Sequence, residues 1–288
     1  MSGASFRSLI RNDDVLIMPV VHDALCAKIA EKVGFKTIFT AGYSNSASLL
    51  GKPDVGLLTM TEMVDAARRI AGSVSIPVIA DADTGYGNVT NVARTVRELE
   101  KAGVAGILLE DQVSPKRCGH MSGKEVTSPE EMMAKIRAAV NSRVSQDFVI
   151  IARTDSLSVD GIDDAIVRAN LYRTAGADMT FVEAVENVDH MRRVIAETEG
   201  PHMANMIPGG RTPILSSSEL ANLGYGIVAY PTVNTYAVAR ATNEVFEHLF
   251  RKGTFEGLED RLMDFDAFNE IVGLDEIRTM ERRYHSGD

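Results

Sequence analysis

ILLEDQVSPKRCGHMSGK, residues 107 to 124, passes directly from a buried-strand pattern into a loop dense in reactive side chains. Ile107, Leu108 and Leu109 form an apolar run with no polar alternation, the pattern of a strand covered on both faces in a parallel sheet. The run ends in two acids, Glu110 and Asp111. A turn-forming Ser114-Pro115 follows, then two cations, Lys116 and Arg117, a thiol at Cys118, a glycine at Gly119 and an imidazole at His120. Oxygen ligands, positive charge, a proton donor and a flexible backbone stand together where a strand stops, which is where parallel α/β folds build their sites.

Outward from this stretch the strand signal recurs. Apolar runs stand at Leu16 to Val20, Thr37 to Phe39, Pro77 to Ala80, Gly106 to Leu109, Phe148 to Ala152, Met179 to Val182, His202 to Ala204 and Ile227 to Tyr230. Helical periodicity fills the gaps, as in Val89, Val92, Ala93, Val96 and Leu99, which share one face. Thr59 with Glu62, Ser128-Pro129 with Glu131, and Ser216 with Glu219 read as capping boxes that open helices. Gly103 and Gly176 read as helix stops. Eight such units predict an α/β fold, a parallel sheet closed as a (β/α)8 barrel, with an open doubly wound sheet as the competitor. A short helix is expected around Phe6 to Ile10. No linker divides the chain, so residues 1–288 are expected to form one domain. A helix at Ala237 to Phe250 and a helical extension over about 250–288 exceed what a minimal barrel needs.

The 288 residues carry a formal charge of −10, which disfavours nucleic acid as a partner because phosphate binding needs a net basic surface. No segment approaches the roughly 20 apolar residues of a membrane span, and the first residues lack a signal-peptide core. A cytoplasmic protein with no membrane partner is expected. The two cysteines, Cys26 and Cys118, lie in different contexts and are expected to be free thiols. Cys26 reads as a structural thiol in the apolar face Ala24 to Ala30.

If the barrel forms, the residues closing each run converge. These are Gly42 and Tyr43 after the second run, Asp81 and Asp83 after the third, and Glu110 after the fourth. Arg153 and Asp155 follow the fifth, Glu183 the sixth and Asn205 the seventh. Asp81 and Asp83, two apart in an extended segment, are expected to share a face, and with Glu110 they suit a hard cation such as Mg²⁺ or Mn²⁺. A lone pair of acids more often caps a helix or meets solvent; the acids on neighbouring strands argue otherwise. Cys118 admits a zinc-site, a structural and a chemical reading. Its neighbours Lys116 and Arg117 would favour a thiolate, hence an acid/base or nucleophilic role. Arg153 needs an anion, either a substrate carboxylate or Glu183 or Asp155. No strand end supplies a Schiff-base lysine, and Gly85-Tyr86-Gly87 is too short for a dinucleotide fingerprint. What remains is a metal-assisted reaction on a small carboxylate.

With these residues in hand, the chain resembles the isocitrate lyase and phosphoenolpyruvate mutase superfamily over nearly its whole length. The motifs are KRCGH at Lys116 to His120, Glu110-Asp111-Gln112 before it, and DADTGYGN at Asp81 to Asn88. Within the superfamily it is most similar to lyases of substituted malates, through Arg168 to Tyr172, Thr180 to Ala184, Ala204-Asn205-Met206 with Gly209-Gly210, and Phe268-Asn269-Glu270. The resemblance implies a (β/α)8 barrel whose last helix swaps between subunits of a homotetramer. It implies Mg²⁺, or Mn²⁺, at Asp81 and Asp83, with Asp54 and Glu110 holding metal-bound water. The KRCGH loop is implied to be a mobile gate in which Cys118 donates a proton, with His120 beside it. Gly42, Tyr43, Gly119, Arg153, Glu183 and Asn205 are implied to bind substrate, and Tyr43 is one candidate base.

The implied reaction cleaves the C2–C3 bond of a 2-hydroxydicarboxylate, such as 2,3-dimethylmalate, to a 2-oxo acid such as pyruvate and a second carboxylate. One departure bears on substrate. Methylisocitrate lyases place an arginine where this chain has Tyr236, so a third carboxylate would lose a partner. A carboxyphosphonoenolpyruvate phosphonomutase, an oxaloacetate hydrolase and a methylisocitrate lyase are the related alternatives; a non-catalytic dicarboxylate-binding protein is the alternative of another class.

Overall fold

The structure is a computed structural model that describes residues 3–10 and 15–285; the expected domain limits at 1 and 288 lie outside them. Eight strands follow in order: β1 Leu16–Pro19, β2 Ile38–Thr40, β3 Val78–Asp81, β4 Gly106–Glu110, β5 Val149–Thr154, β6 Met179–Val182, β7 Met203–Asn205 and β8 Ile227–Tyr230. Each lies within one or two residues of its expected apolar run. They pair in parallel as two arcs, β2-β3-β4-β5-β6 and β1-β8-β7. Single parallel bridges, Val20 with Phe39 and Thr180 with His202, span the two gaps. The strands therefore succeed one another around a ring in the manner of a (β/α)8 barrel, and the open doubly wound order is absent.

Strand parity sorts the side chains. Along β4, Leu108 joins an inner cluster with Met18, Phe39, Ile79, Ile151, Phe181 and Met203, whereas Ile107 and Leu109 pack outward against helices. Val149 and Ile151 of β5 likewise point in, and Ile150 and Ala152 point out. Each fully buried side chain of this size contributes about 1.5–3 kcal/mol. The helix Gly3–Leu9 serves the end of the barrel opposite the strand termini. Its Phe6 is fully buried in the inner cluster, and Arg7 Nη2 pairs with Asp178 Oδ1 at 2.8 Å, just ahead of β6.

Helix starts follow the expected chemistry. Thr59 and Glu62 form a reciprocal capping box before helix Met60–Ala71, and Ser216 and Glu219 do so before Ser217–Leu223. At Ser128 only half of the expected box forms: its hydroxyl accepts from Glu131 N, with Pro129 opening the helix. Gly103 and Gly176 take positive φ after their helices.

After β8, the helix Val233–Lys252 is longer than expected at both ends and buries none of its residues. Phe246, Phe250, Phe255 and Phe265 are exposed along this tail. Helices Phe265–Val272 and Leu274–His285 complete it, the first lying against helix Ala24–Val33 with Lys32 and Glu270 paired at 2.9 Å. No described helix is long and apolar enough to cross a membrane.

Candidate active site

The parity that points Ile79, Leu108, Ile151, Phe181 and Met203 inward carries Asp81, Glu110, Arg153, Glu183 and Asn205 inward at the strand ends. A small pocket forms there, lined by Tyr43, Asp54, Asp81, Glu110, Lys116, Cys118, Gly119, His120, Arg153, Glu183 and Asn205 among others. Asp111, one residue out of phase, points outward. Its carboxylate accepts from Thr154 Oγ1 at 2.7 Å, Tyr172 OH at 2.7 Å and Asp155 N at 2.9 Å, which anchors the β4 end to the β5 end.

The acids gather by a different route from the expected one. β3 stops at Asp81, and Asp83 adopts φ 46°, so the pair does not sit in one extended segment. A left-handed turn brings the carboxylates together instead: Asp83 N donates to Asp81 Oδ1 at 3.0 Å, and Gly42 N to Asp81 Oδ2 at 3.0 Å. A side chain at Gly42 would crowd Lys116 Nζ and both carboxylates, so this approach needs glycine. Gly42 and Asp83 thus stand directly behind the pocket wall, and the other ten expected site residues line it.

Lys116, to which no ligand-facing role was assigned from sequence, reaches into this acid group. Its ammonium lies 2.7 Å from Asp54 Oδ1 and 2.9 Å from Asp83 Oδ1. Burial alone would lower its pKa, but the surrounding carboxylates raise it well above the usual range. Burial pushes Asp83 up to about 6 and Glu110 well above the ordinary carboxylate range, against the pull of nearby cations. Glu110 Oε1 and Asn205 Oδ1 are buried without a hydrogen-bond partner. Those open oxygens, facing a pocket, are of the kind a ligand satisfies.

Opposite the acids, Arg153 forms a fork with Asp155, Nε to Oδ2 at 2.8 Å and Nη2 to Oδ1 at 3.0 Å. Its Nη1 lies 3.1 Å from Glu183 Oε2, and its guanidinium stands over the Phe181 ring. Both carboxylate partners considered from sequence are therefore engaged. Burial would raise Asp155, but Arg153 and Lys124 outweigh it and hold the carboxyl at about 2. Glu183 is likewise held below its ordinary range by Arg153 and His120 despite burial. Asn205 Nδ2 donates to Glu183 Oε2 at 2.9 Å.

The Lys116–His120 loop covers these groups. Gln112 braces it twice, accepting from Arg117 N and donating to Arg117 O, each at 2.9 Å. Cys118 N donates to Asp54 O at 3.2 Å, and Lys124 Nζ ties the far end to Asp155 Oδ1 at 3.0 Å and to the Gly119 carbonyl. A Cβ on Gly119 would collide with Arg153 Nη2 and the Glu183 side chain. His120 Nε2 lies 2.8 Å from Glu183 Oε1 while Nδ1 accepts from Arg211 N at 2.9 Å, which leaves Nε2 to carry the proton.

The expected thiolate at Cys118 is corrected. Burial raises its pKa, with Asp54 and Glu183 adding to the rise, and the His120 backbone N–H and Arg153 only partly oppose them. Lys116 spends its charge on the acids, and Arg117 is exposed. The resting form is a thiol. Burial, then its hydrogen bond to Tyr236 (OH to OH, 3.0 Å), raises the Tyr43 phenol, which opposes a role as base.

A parallel barrel with acids and a guanidinium at its strand ends, covered by a loop bearing KRCGH, defines a class. The chain belongs to the phosphoenolpyruvate phosphomutase family, whose model matches residues 6–250. It is 48% identical over 286 residues to the 2,3-dimethylmalate lyase of Eubacterium barkeri, with 99% of each chain covered. The solved structure of an oxaloacetate acetylhydrolase in complex with the inhibitor 3,3-difluorooxalacetate matches at TM-score 0.93 and 34% identity, over 99% of this chain and 97% of that one. That of a phosphonopyruvate hydrolase in complex with oxalate and Mg²⁺ matches at TM-score 0.88 and 32% identity, over 99% of each.

Proposed function

We propose that the chain is a metal-dependent carbon–carbon lyase that cleaves a substituted malate, such as 2,3-dimethylmalate, to pyruvate and a second carboxylate. The observation that carries the reading is the pocket itself, with acids on one wall, Arg153 on the other and a protonated thiol above. The similarity to a 2,3-dimethylmalate lyase over the full chain length supports the choice of substrate.

The donor set fits Mg²⁺ or Mn²⁺: four carboxylates, Asp54, Asp81, Asp83 and Glu110, one with an unpartnered buried oxygen, already draw an ammonium into their midst. Asp81 and Asp83 would hold the ion directly, and Asp54 and Glu110 through water. When bound, it would supply Lewis-acid polarisation of the substrate's C2 oxygen and adjoining carboxylate. Arg153, fixed by Asp155 and Glu183, offers preorganised positive charge to the carboxylate in which negative charge develops as C2–C3 breaks. Asn205, with its free Oδ1, and the Gly119 backbone border the same space. Cys118, kept protonated, delivers its proton to C3 of the departing fragment, and the proton that leaves the C2 hydroxyl as C2 becomes the 2-oxo carbon passes to solvent, from which the thiol is restored. His120, held by Glu183 and Arg211 N, positions the loop that carries this thiol. Tyr43 is a neutral hydrogen-bond partner for the substrate.

The exposed phenylalanines on the tail support a homotetramer in which the last helices pack on neighbouring subunits, around one barrel domain per chain. Light scattering on the purified protein checks the assembly.

A 2-oxo acid release assay over malate, alkylmalates, citramalate, methylisocitrate and isocitrate, with and without chelator, tests the function. Turnover of a dicarboxylate that is abolished by chelator and by Cys118→Ala is expected; no release from any of them refutes it. Hydrolysis of oxaloacetate to oxalate and acetate is the second reading, favoured by the likeness to the acetylhydrolase, and product analysis with that substrate separates the two.

A further inference from the structure

Cys26 is expected in an apolar helix face, and its helix does pack on the outer core. Its sulfur, however, faces polar neighbours. After β1 the chain runs through His22 to Asp23, the extended N-cap of helix Ala24–Val33. Asp23 Oδ1 accepts from Cys26 N at 2.7 Å, which leaves Oδ2 free of the cap and 3.7 Å from His22 Nε2. Cys26 Sγ stands 3.9 Å from the same nitrogen. The imidazole, thiol and carboxylate atoms all lie within 4.8 Å of one another. None of these residues lines the pocket described above.

We propose that His22 Nε2, Cys26 Sγ and Asp23 Oδ2 form a second metal site, for a borderline-soft divalent cation of the zinc type, with water as the fourth ligand. Tetrahedral zinc with bonds of about 2.0–2.3 Å spans N-to-S and N-to-O edges of about 3.3–3.5 Å. The N-to-S and N-to-O separations exceed these by about half an ångström or less, and the sulfur lies within 4.8 Å of the carboxylate oxygen, so the site closes by rotation of the Cys26 and Asp23 side chains onto the fixed imidazole. The donors suit zinc and not Mg²⁺, which prefers oxygen only, so the chain would hold two cations of different hardness at two sites. His22 is buried, which limits the ring's freedom. Its Nδ1 lies 3.5 Å from the Asn234 side-chain amide. With Nε2 on the ion, Nδ1 carries the proton, and the Asn234 amide, turned to present its oxygen, accepts it. Cys26 enters the site as a thiol. Binding converts thiol and hydrated cation to a metal thiolate and releases one proton to solvent. The two anionic ligands then neutralise the ion.

Asn234 lies in the first turn of helix Val233–Lys252, which brings Tyr236 to Tyr43. An ion at His22 would therefore pin the start of that helix to the turn after β1.

The test uses the full-length protein, stripped with chelator and titrated with Co²⁺ in saturating Mg²⁺. One equivalent of Co²⁺ with a thiolate charge-transfer absorption, displaced by Zn²⁺, is expected in the wild type and in Cys118→Ser. Cys26→Ser and His22→Gln abolish it, and Asn234→Ala weakens Zn²⁺ binding about 10- to 100-fold. Melting of each metal-free variant checks that it is folded, and Zn²⁺ raises the melting temperature of the wild type but not of Cys26→Ser. Absence of the absorption in the wild type, or its persistence in both Cys26→Ser and His22→Gln, overturns the site.

Discussion

Replacing Asp155 by asparagine removes one charge and almost no volume from the centre of the molecule. The wild-type carboxylate is fully buried, takes a two-pronged contact from Arg153 and one from Lys124, and is held at about 2 against an ordinary 3.8. That difference corresponds to about 2 kcal/mol of stability. Removing one partner of a buried ion pair costs about 3–5 kcal/mol, and the retained amide oxygen places this change at the lower end, about 3 kcal/mol. At about 2–4 °C per kcal/mol for a chain of this size, Asp155→Asn should melt roughly 6–12 °C below wild type at neutral pH. The sign with pH follows from the depressed value. The contribution is fully present above about pH 4, the unfolded carboxyl's range, and is lost as pH falls through about 2. The gap between the two proteins should therefore be constant from pH 8 to 5 and close below pH 4. Calorimetry or urea unfolding at each pH measures it. Equal melting at neutral pH, or a gap that widens on acidification, refutes the charge assignment.

Gly119→Ala should lower turnover at least tenfold while shifting the melting temperature little, because the added methyl lifts the loop off Arg153 and Glu183 without opening the core; stopped-time product assays beside calorimetry separate the two effects. Tyr236→Arg should bring a cation beside Tyr43 and raise kcat/KM for methylisocitrate relative to dimethylmalate, read by competition between the two substrates. Asp81→Asn should weaken Mg²⁺ or Mn²⁺ binding tenfold or more by isothermal titration, because it removes a charge from the wall that would hold the ion.

The barrel was legible because buried parallel strands are nearly uninterrupted apolar runs, and all eight lie where such runs stand. The strand ends were legible for the same reason: period-two alternation carried inward from Ile79 or Leu108 points Asp81 and Glu110 into the pocket without further information. Conformations away from the strands were not. Asp83 reads as one more alternating acid, and only its positive φ shows that a turn delivers it. The ionisation of Cys118 was misjudged because adjacency in sequence says nothing of where Lys116 points, and four acids outbid one thiol for its charge. A lysine in a loop facing several strand-end acids was the available signal. At Ser128 a carboxylate three residues on satisfied the pattern of a capping box without closing its second hydrogen bond.

The helix that follows β8 has two duties at its two ends. Its first turn leans on the pocket through Tyr236, and its last turns expose phenylalanines. A lever of 20 residues, stiff along its length, thus joins the pocket to a surface left uncovered by the described residues. In the proposed assembly a neighbouring subunit covers that surface, so dilution that separates the subunits would act as a slow inhibitor, and specific activity would fall with protein concentration at constant substrate.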